Sequence, residues 1–208
     1  MLKIGKMVMG SVQTNCYFVY EENKNKIIVI DPADRGDYLY NSFQEKGFEV
    51  AGIILTHGHF DHVWGCNQLR ELSHAKVYAW EEERDLCESA QLNVSEMAGR
   101  PYIVTVDEYV RDGEVLTIEG IQVKIIGTPG HTKGSCCLYF EEDGILVCGD
   151  TLFEGSVGRT DLPTGSWGTL SRSLKEKVLV LPEETKVFPG HGGSTTIGDE
   201  KKYNPYCA

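Results

Sequence analysis

Runs of apolar and polar positions divide the first half of the chain into alternating strands and helices. Residues 2–9 and 15–20 read as two strands, with Gly10-Ser11 as the turn signal between them. Lys26 to Ile30 reads as a third strand. It stops at Asp31-Pro32 because proline cannot continue a central strand, so Asp31 is expected in an edge loop. Asp34 to Lys46 carries Tyr38, Leu39 and Phe43 on one helical face and ends at Gly47. Val50 to Leu55 is an apolar run of strand length. A helix from about His62 to Leu72 should turn Val63, Leu69 and Leu72 inward, with His74 in solvent past its end. Lys76 to Ala79 follows as a strand, and Glu81 to Leu92 as a helix. Its first-turn glutamates complement the helix dipole, so no acidic site is invoked there.

Asn93 to Asp107 has weak periodicity and reads as a long loop, of the kind that often covers a functional site. Two hairpins follow, Glu114–Ile118 with Ile121–Ile126 and Ser135–Phe140 with Ile145–Val147. Trp167 to Leu181 reads as a helix with Trp167, Leu170, Leu174 and Val178 on one face, and Lys186 to Phe188 as a last strand. Residues 2–100 and 101–200 repeat the order of strands and then helices, with no Pro/Ser-rich linker between them. The expectation is an α/β fold of two packed mixed sheets with helices outside, as a single domain over residues 1–208.

Composition narrows the partners. The chain carries 31 acidic and 20 basic side chains, a net charge of −11. Such a surface repels phosphate backbones and anionic membranes, so nucleic acid and membrane are not expected partners. The N-terminal residues lack the continuous apolar core of a signal peptide, and no apolar run is long enough to span a bilayer. Seven cysteines without a Cys-x-x-Cys pair fit a reducing cytoplasm. Cys16, Cys136, Cys137 and Cys148 are expected in the core, whereas Cys66, Cys87 and Cys207 are expected to be accessible.

The chemistry gathers in Leu55-Thr56-His57-Gly58-His59-Phe60-Asp61-His62, where the chain leaves a strand. His57 and His59 are two apart in an extended segment and point to the same side. Asp61 and His62 turn into the next helix and can face a second metal ion. A plain polar loop with Asp61 near a helix N-cap is the alternative. Three of six histidines within six positions argue against it. His131, Asp150 and His191 also follow strands and are also flanked by glycine: Gly130, Gly149 and Gly190. Alone, each would be a turn, cap or surface residue. Beside the histidine loop all three are read as ligands, because imidazole and carboxylate suit zinc, iron and manganese. His57, His59 and His131 would hold one metal, Asp61, His62 and His191 the other, with Asp150 as the bridge.

These motifs, with Thr128-Pro129-Gly130-His131-Thr132, Gly149-Asp150-Thr151-Leu152-Phe153 and Pro189-Gly190-His191, resemble the metallo-β-lactamase superfamily. The resemblance spans nearly the whole chain. It implies a four-layered αββα sandwich with two divalent ions at one edge, zinc first and iron or manganese as alternatives. Asn204-Pro205-Tyr206 resembles the ending of the short glyoxalase II-like branch. That branch implies hydrolysis of a small-molecule thioester, with Asp61 and Asp150 as the catalytic carboxylates and Arg159 as a substrate contact. Paired ions bring water to a pKa of about 7, so no protein base is required.

Two departures stand against a glutathione substrate. No C-terminal helical domain is expected after His191, and glutathione-contacting aromatics have no match at Asp161 or Gly192-Gly193. The bridging Asp150 is usually missing from β-lactamases, diiron relatives generally carry Glu at the position of His59, and nuclease relatives are longer or more basic. The runner-up is a mononuclear-iron dioxygenase: Gly158-Arg159-Thr160-Asp161 is similar to a stretch of persulfide dioxygenases, which implies iron on His57, His131 and Asp150. Leu162-Pro163 after that stretch favours the hydrolase. A non-catalytic metal-binding protein comes last, since structural zinc sites are closed and rich in cysteine.

Overall fold

A computed structural model describes residues 1–207. The first sheet runs in chain order: β1 (Leu2–Met9), β2 (Thr14–Glu21), β3 (Lys26–Ile30), β4 (Glu49–Ile54), β5 (Lys76–Trp80) and β6 (Glu108–Val110). β1 to β3 are antiparallel, and β3 to β6 are parallel. Parallel neighbours need crossovers. Between β3 and β4 the crossover is α1 (Gly36–Glu45); between β4 and β5 it is α2 (Phe60–Val63) and α3 (Cys66–Ser73).

After β5 come a 3₁₀ turn at Glu81–Glu83 and α4 (Arg84–Cys87). The second sheet contains β7 (Val115–Ile118), β8 (Ile121–Gly127), β9 (Cys136–Phe140) and β10 (Ile145–Gly149). A small hairpin follows, β11 (Leu152–Phe153) with β12 (Ser156–Val157), and then α5 (Trp167–Ser173). β13 (Lys186–Pro189) returns parallel to β10, β14 (Thr195–Thr196) forms the edge, and α6 (Ile197–Tyr203) closes the chain.

Three apolar layers hold this together. Val19, Ile28 and Ile54 of the first sheet meet Val123, Ile125 and Leu138 of the second in one buried cluster. Leu39, Phe43, Val63 and Leu69 pack on the outer face of the first sheet. Leu170, Leu174, Val178 and Ile197 pack on the outer face of the second. The result is the αββα order expected from the sequence, with two mixed sheets. No helix among the described residues is long and apolar enough to cross a membrane.

Several local expectations need correction. The helix expected from His62 to Leu72 is two pieces that break at Trp64-Gly65, where Gly65 donates to the Pro32 carbonyl. Leu72, Tyr38 and Trp167 are exposed, so the helices bury narrower faces than their apolar residues suggested. The Glu81–Leu92 helix ends at Cys87, and Trp167–Leu181 changes after Ser173 into a π-helical turn over Leu174–Val178. Cys66 and Cys87 are buried, in the layer under α3. Residues 93–107 are fastened down by hydrogen bonds. Asn67 in α3 bonds to Tyr102, Ile103 and Thr105, and the Asn93 carbonyl accepts from Phe60 N. That segment buttresses α2 and α3 and supplies none of the candidate metal-binding side chains.

Candidate metal centre

The rim where strands leave the two sheets is stitched from both sides. Cys136 N donates to the Thr56 carbonyl, joining the start of β9 to the end of β4. Asn15 N donates to the Gly190 carbonyl, and Gly190 N to the Gly149 carbonyl, joining β2, β13 and β10. His57, His131, Asp150 and His191 are thereby drawn to one place. His59 is the extended N-cap of α2, which places Asp61 and His62 in its first turn. Asp61 is therefore inside the helix and not its cap.

All seven side chains named from the sequence converge. The ring centroids of His57, His59 and His131 lie 4.7–4.9 Å apart, in the pairings 57–59 at 4.9 Å, 57–131 at 4.8 Å and 59–131 at 4.7 Å. His62 lies 4.1 Å from His57 and 5.4 Å from His191, centroid to centroid. His191 Nε2 is 3.2 Å from Asp61 Oδ2. Asp150 reaches both groups: Oδ1 is 3.4 Å from His62 Nε2, and Oδ2 is 3.6 Å from His131 Nε2. Within each of the triads His57/His59/His131 and Asp61/His62/His191, one donor atom per residue lies within 4.8 Å of the others.

The remaining bonds orient the rings. His62 Nδ1 donates to Asp31 Oδ2 at 2.9 Å, and His131 Nδ1 donates to the Arg159 carbonyl at 2.7 Å. In the neutral imidazole the one N–H is then on Nδ1, which leaves Nε2 of each ring as the atom that can ligate. His57 Nδ1 lies 3.2 Å from Thr56 Oγ1, which itself donates to Asp31 Oδ2. Nε2 of His57 and His62 and Oδ1 of Asp150 are buried without a hydrogen-bond partner. Buried polar atoms without partners are costly. Nε2 of His59 is also without one, and this ring has Nδ1 against His131 Nε2 at 2.9 Å. Two nitrogens on one tetrahedral zinc ion would lie about 3.3 Å apart, given Zn–N of about 2.0–2.1 Å. Three imidazoles with converging nitrogens beside orphaned carboxylate oxygen form a donor set that fits divalent cations.

Charge follows the same division. Burial and the neighbouring histidines hold His57 well below its ordinary value, and burial with His131 lowers His59 to about 3. Burial also lowers His131. On the other side burial would make His62 less basic, but Asp61 and Asp150 hold it well above the usual range. His191 is raised to about 9 by its bonds to Asp150 and Asp61, against burial. Burial opposes ionisation of Asp61 and Asp150, yet His62 and His191 hold Asp61 at about 2 and Asp150 well below the carboxylate range. One triad is thus neutral, while in the other ionised Asp61 and Asp150 face protonated His62 and His191, whose protons a bound cation would replace.

Three contributors went unseen in the sequence. Asp31 is buried at 1 % exposure and not in an open edge loop. It accepts from Thr56 N, Thr56 Oγ1 and His62 Nδ1, so its oxygens are already engaged although it sits within ligand range of His57 and His62. Its signal was available: it follows β3 as His57 follows β4. Thr14 Oγ1 donates to Asp61 Oδ2 at 2.8 Å. Glu83 is buried and bonds to Gly58, Thr132 and Gly134, which no feature of Glu81-Glu82-Glu83 distinguished. Arg159 presents its carbonyl to His131, while its guanidinium pairs with Asp161 through Nε at 2.7 Å and Nη2 at 2.8 Å.

The family follows from comparison. The model for the metallo-beta-lactamase superfamily matches residues 9–191, and the chain belongs to that superfamily. It is 36% identical over 203 residues to the hydroxyacylglutathione hydrolase GloC of Haemophilus influenzae, covering 93% of this chain and 92% of that one. It is 35% identical over 208 residues to the probable metallo-hydrolase YqgX of Bacillus subtilis, covering 99% and 97%. Among solved structures, BLEG-1, described as a B3 metallo-beta-lactamase, superposes with a TM-score of 0.94 at 34% identity, covering 99% of this chain and 100% of that one. TTHA1623 in a di-iron-bound form gives a TM-score of 0.86 at 35% identity, covering 97% and 99%. ETHE1 of Myxococcus xanthus gives 0.81 at 25% identity, covering 98% and 83%. The chain is a metallo-hydrolase of this superfamily, and its histidine and aspartate groups suit a binuclear metal centre.

Proposed function

We propose that the chain hydrolyses small thioesters in the manner of a hydroxyacylglutathione hydrolase, using two divalent ions. The observation that carries this reading is the place of Asp150 between the two triads, with one oxygen toward His62 and the other toward His131. His57, His59 and His131 would hold one ion, Asp61, His62 and His191 the other, and Asp150 would be shared. When bound, the ions supply Lewis acidity for a carbonyl and bring water to a pKa of about 7. Zinc, iron and manganese all suit this donor set.

The protein's own share is orientation and charge. Asp31 and the Arg159 carbonyl keep the Nδ1 protons of His62 and His131 facing outward. Asp61 and Asp150 stay ionised at neutral pH because His62 and His191 face them. The hydrogen-bond partners of the cluster include no lysine or tyrosine among the described residues. A thiolate is a weak base and departs without a proton from the protein; an amide nitrogen does not. That supports a thioester over a β-lactam, although BLEG-1 is similar throughout. The similarity to the hydroxyacylglutathione hydrolase GloC supports a glutathione-type carrier. Arg159 would contact the substrate by exchanging Asp161 for a substrate carboxylate. Seven unpaired cysteines support a reducing cytoplasm.

The iron dioxygenase is the second reading, favoured by likeness to ETHE1. Against it stand Asp61, His62 and His191, whose donor atoms form a full second triad. Assay of the metal-loaded protein against S-lactoylglutathione, a neutral thioester, a cephalosporin and glutathione persulfide under oxygen separates these. Free thiol released from a thioester, with no oxygen consumed, is the expected result. Opening of the cephalosporin alone, or oxygen uptake alone, would overturn it.

A further inference from the structure

We propose that Glu83 is a positioning residue for the metal centre: a single buried carboxylate that sets the His57–His59 loop against the His131 loop. The proposal rests on the binuclear reading above. Glu83 ends the 3₁₀ turn after β5 and is 1 % exposed. Its Oε1 accepts from Gly58 N at 2.7 Å, and Oε2 accepts from Gly134 N at 2.8 Å. Thr132 Oγ1 lies within reach of both oxygens, at 2.9 and 3.0 Å.

The identity of these donors gives the bonds their meaning. Gly58 is the residue between His57 and His59, and Thr132 directly follows His131. Every member of the first triad is therefore one residue from a group bonded to Glu83. The members of the second triad have other supports: Asp31 for His62 and Thr14 for Asp61. The strand leading to Gly58 belongs to the first sheet, and Gly134 lies in the loop from β8 to β9 of the second. The carboxylate thus joins loops from both sheets under one triad.

The fit is tight. A Cβ on Gly134 would stand 2.2 Å from Glu83 N, so only glycine lets that loop press on the turn. A buried carboxylate is costly unless fully hydrogen-bonded. Two carboxylate oxygens accept from both loops at once; an amide offers one oxygen and turns an N–H₂ toward a donor on the other side. Glutamine at 83 would therefore release one loop from the other. Groups behind the ligands commonly change metal affinity about 10–100-fold when removed.

The test is a cobalt(II) titration of the metal-free wild type, Glu83→Gln, Thr132→Val and Asp31→Asn, followed by visible absorption and by metal analysis after dialysis. The wild type is expected to take two ions. E83Q and T132V should keep one site at wild-type affinity and weaken the other about 10–100-fold. The bands they lose should differ from those lost in D31N, a site-selective signature that general loosening of the fold does not produce. T132V serves as the readout if E83Q does not fold. Two ions bound by E83Q and T132V with unchanged affinity and spectrum would overturn the proposal, as would equal weakening of both sites. A wild type that takes up no cobalt would instead overturn the metal reading, and this role with it.

Discussion

Asp31 accepts the Nδ1 proton of His62 over 2.9 Å, and the opposite nitrogen of that ring faces Asp61 and Asp150 at 3.6 and 3.4 Å. A carboxylate that engages one face of an imidazole fixes its tautomer and raises its strength as a ligand. Asp31→Ala should weaken metal binding by the Asp61/His62/His191 triad about 10–100-fold. Breaking a buried pair of this kind typically costs about 3–5 kcal/mol. Metal titration and denaturant unfolding of the same variant measure the two effects separately; unchanged values in both would show that His62 needs no such support.

Asp150 lies against His62, His131 and His191. Asp150→Ala should lower thioester turnover by at least about 100-fold and reduce the metal content per chain. The fold should persist, which circular dichroism checks. Wild-type turnover in this variant would remove Asp150 from the reaction.

Gly190 is a steric requirement of the same carboxylate. A Cβ there would meet Asp150 Oδ1 at 2.2 Å and His62 Cε1 at 2.7 Å. Gly190→Ala should therefore displace both side chains and reduce turnover and metal affinity together. Measured kcat/KM equal to the wild type would mean that the rim absorbs a methyl group without moving a ligand.

Burial raises Glu83 from 4.5 to about 7, against the donors that surround it. The folded chain then keeps a proton that the unfolded chain has released. Its contribution to stability is fully present below about 4.5 and is lost as pH rises through about 7. Glu83→Gln cannot release that proton. In metal-free protein, the stability of the wild type relative to E83Q should fall between pH 5 and pH 8, measured by chemical denaturation. An identical difference at both values would show that Glu83 titrates alike in the folded and unfolded chains.

Much of this arrangement was legible in the residues because ligands and strand ends coincide. His57, His131, Asp150 and His191 each follow an apolar run and a glycine marks each exit, so period and punctuation mark the rim in the sequence itself. The two-sheet order was legible because the strand runs are short and either apolar throughout, as in β10, or alternating, as in β8. The supports were harder to see. Asp31 looked like a loop residue because Pro32 follows it, yet its carboxylate turns inward to Thr56 and His62. Glu83 was hidden beside two exposed glutamates, since helical charge patterning cannot tell a dipole partner from a buried acceptor. Cys66 and Cys87 were misplaced because α3 and α4 are short and pack their small side chains under residues 93–107.

On the proposed reading, two triads sharing Asp150 hold two ions for hydrolysis. Counting metal ions per chain in protein as isolated, with thioester cleavage and oxygen uptake followed on the same sample, tests it most directly. Two ions per chain, released thiol and no oxygen uptake are predicted. One iron per chain with oxygen consumed in the presence of glutathione persulfide would contradict it.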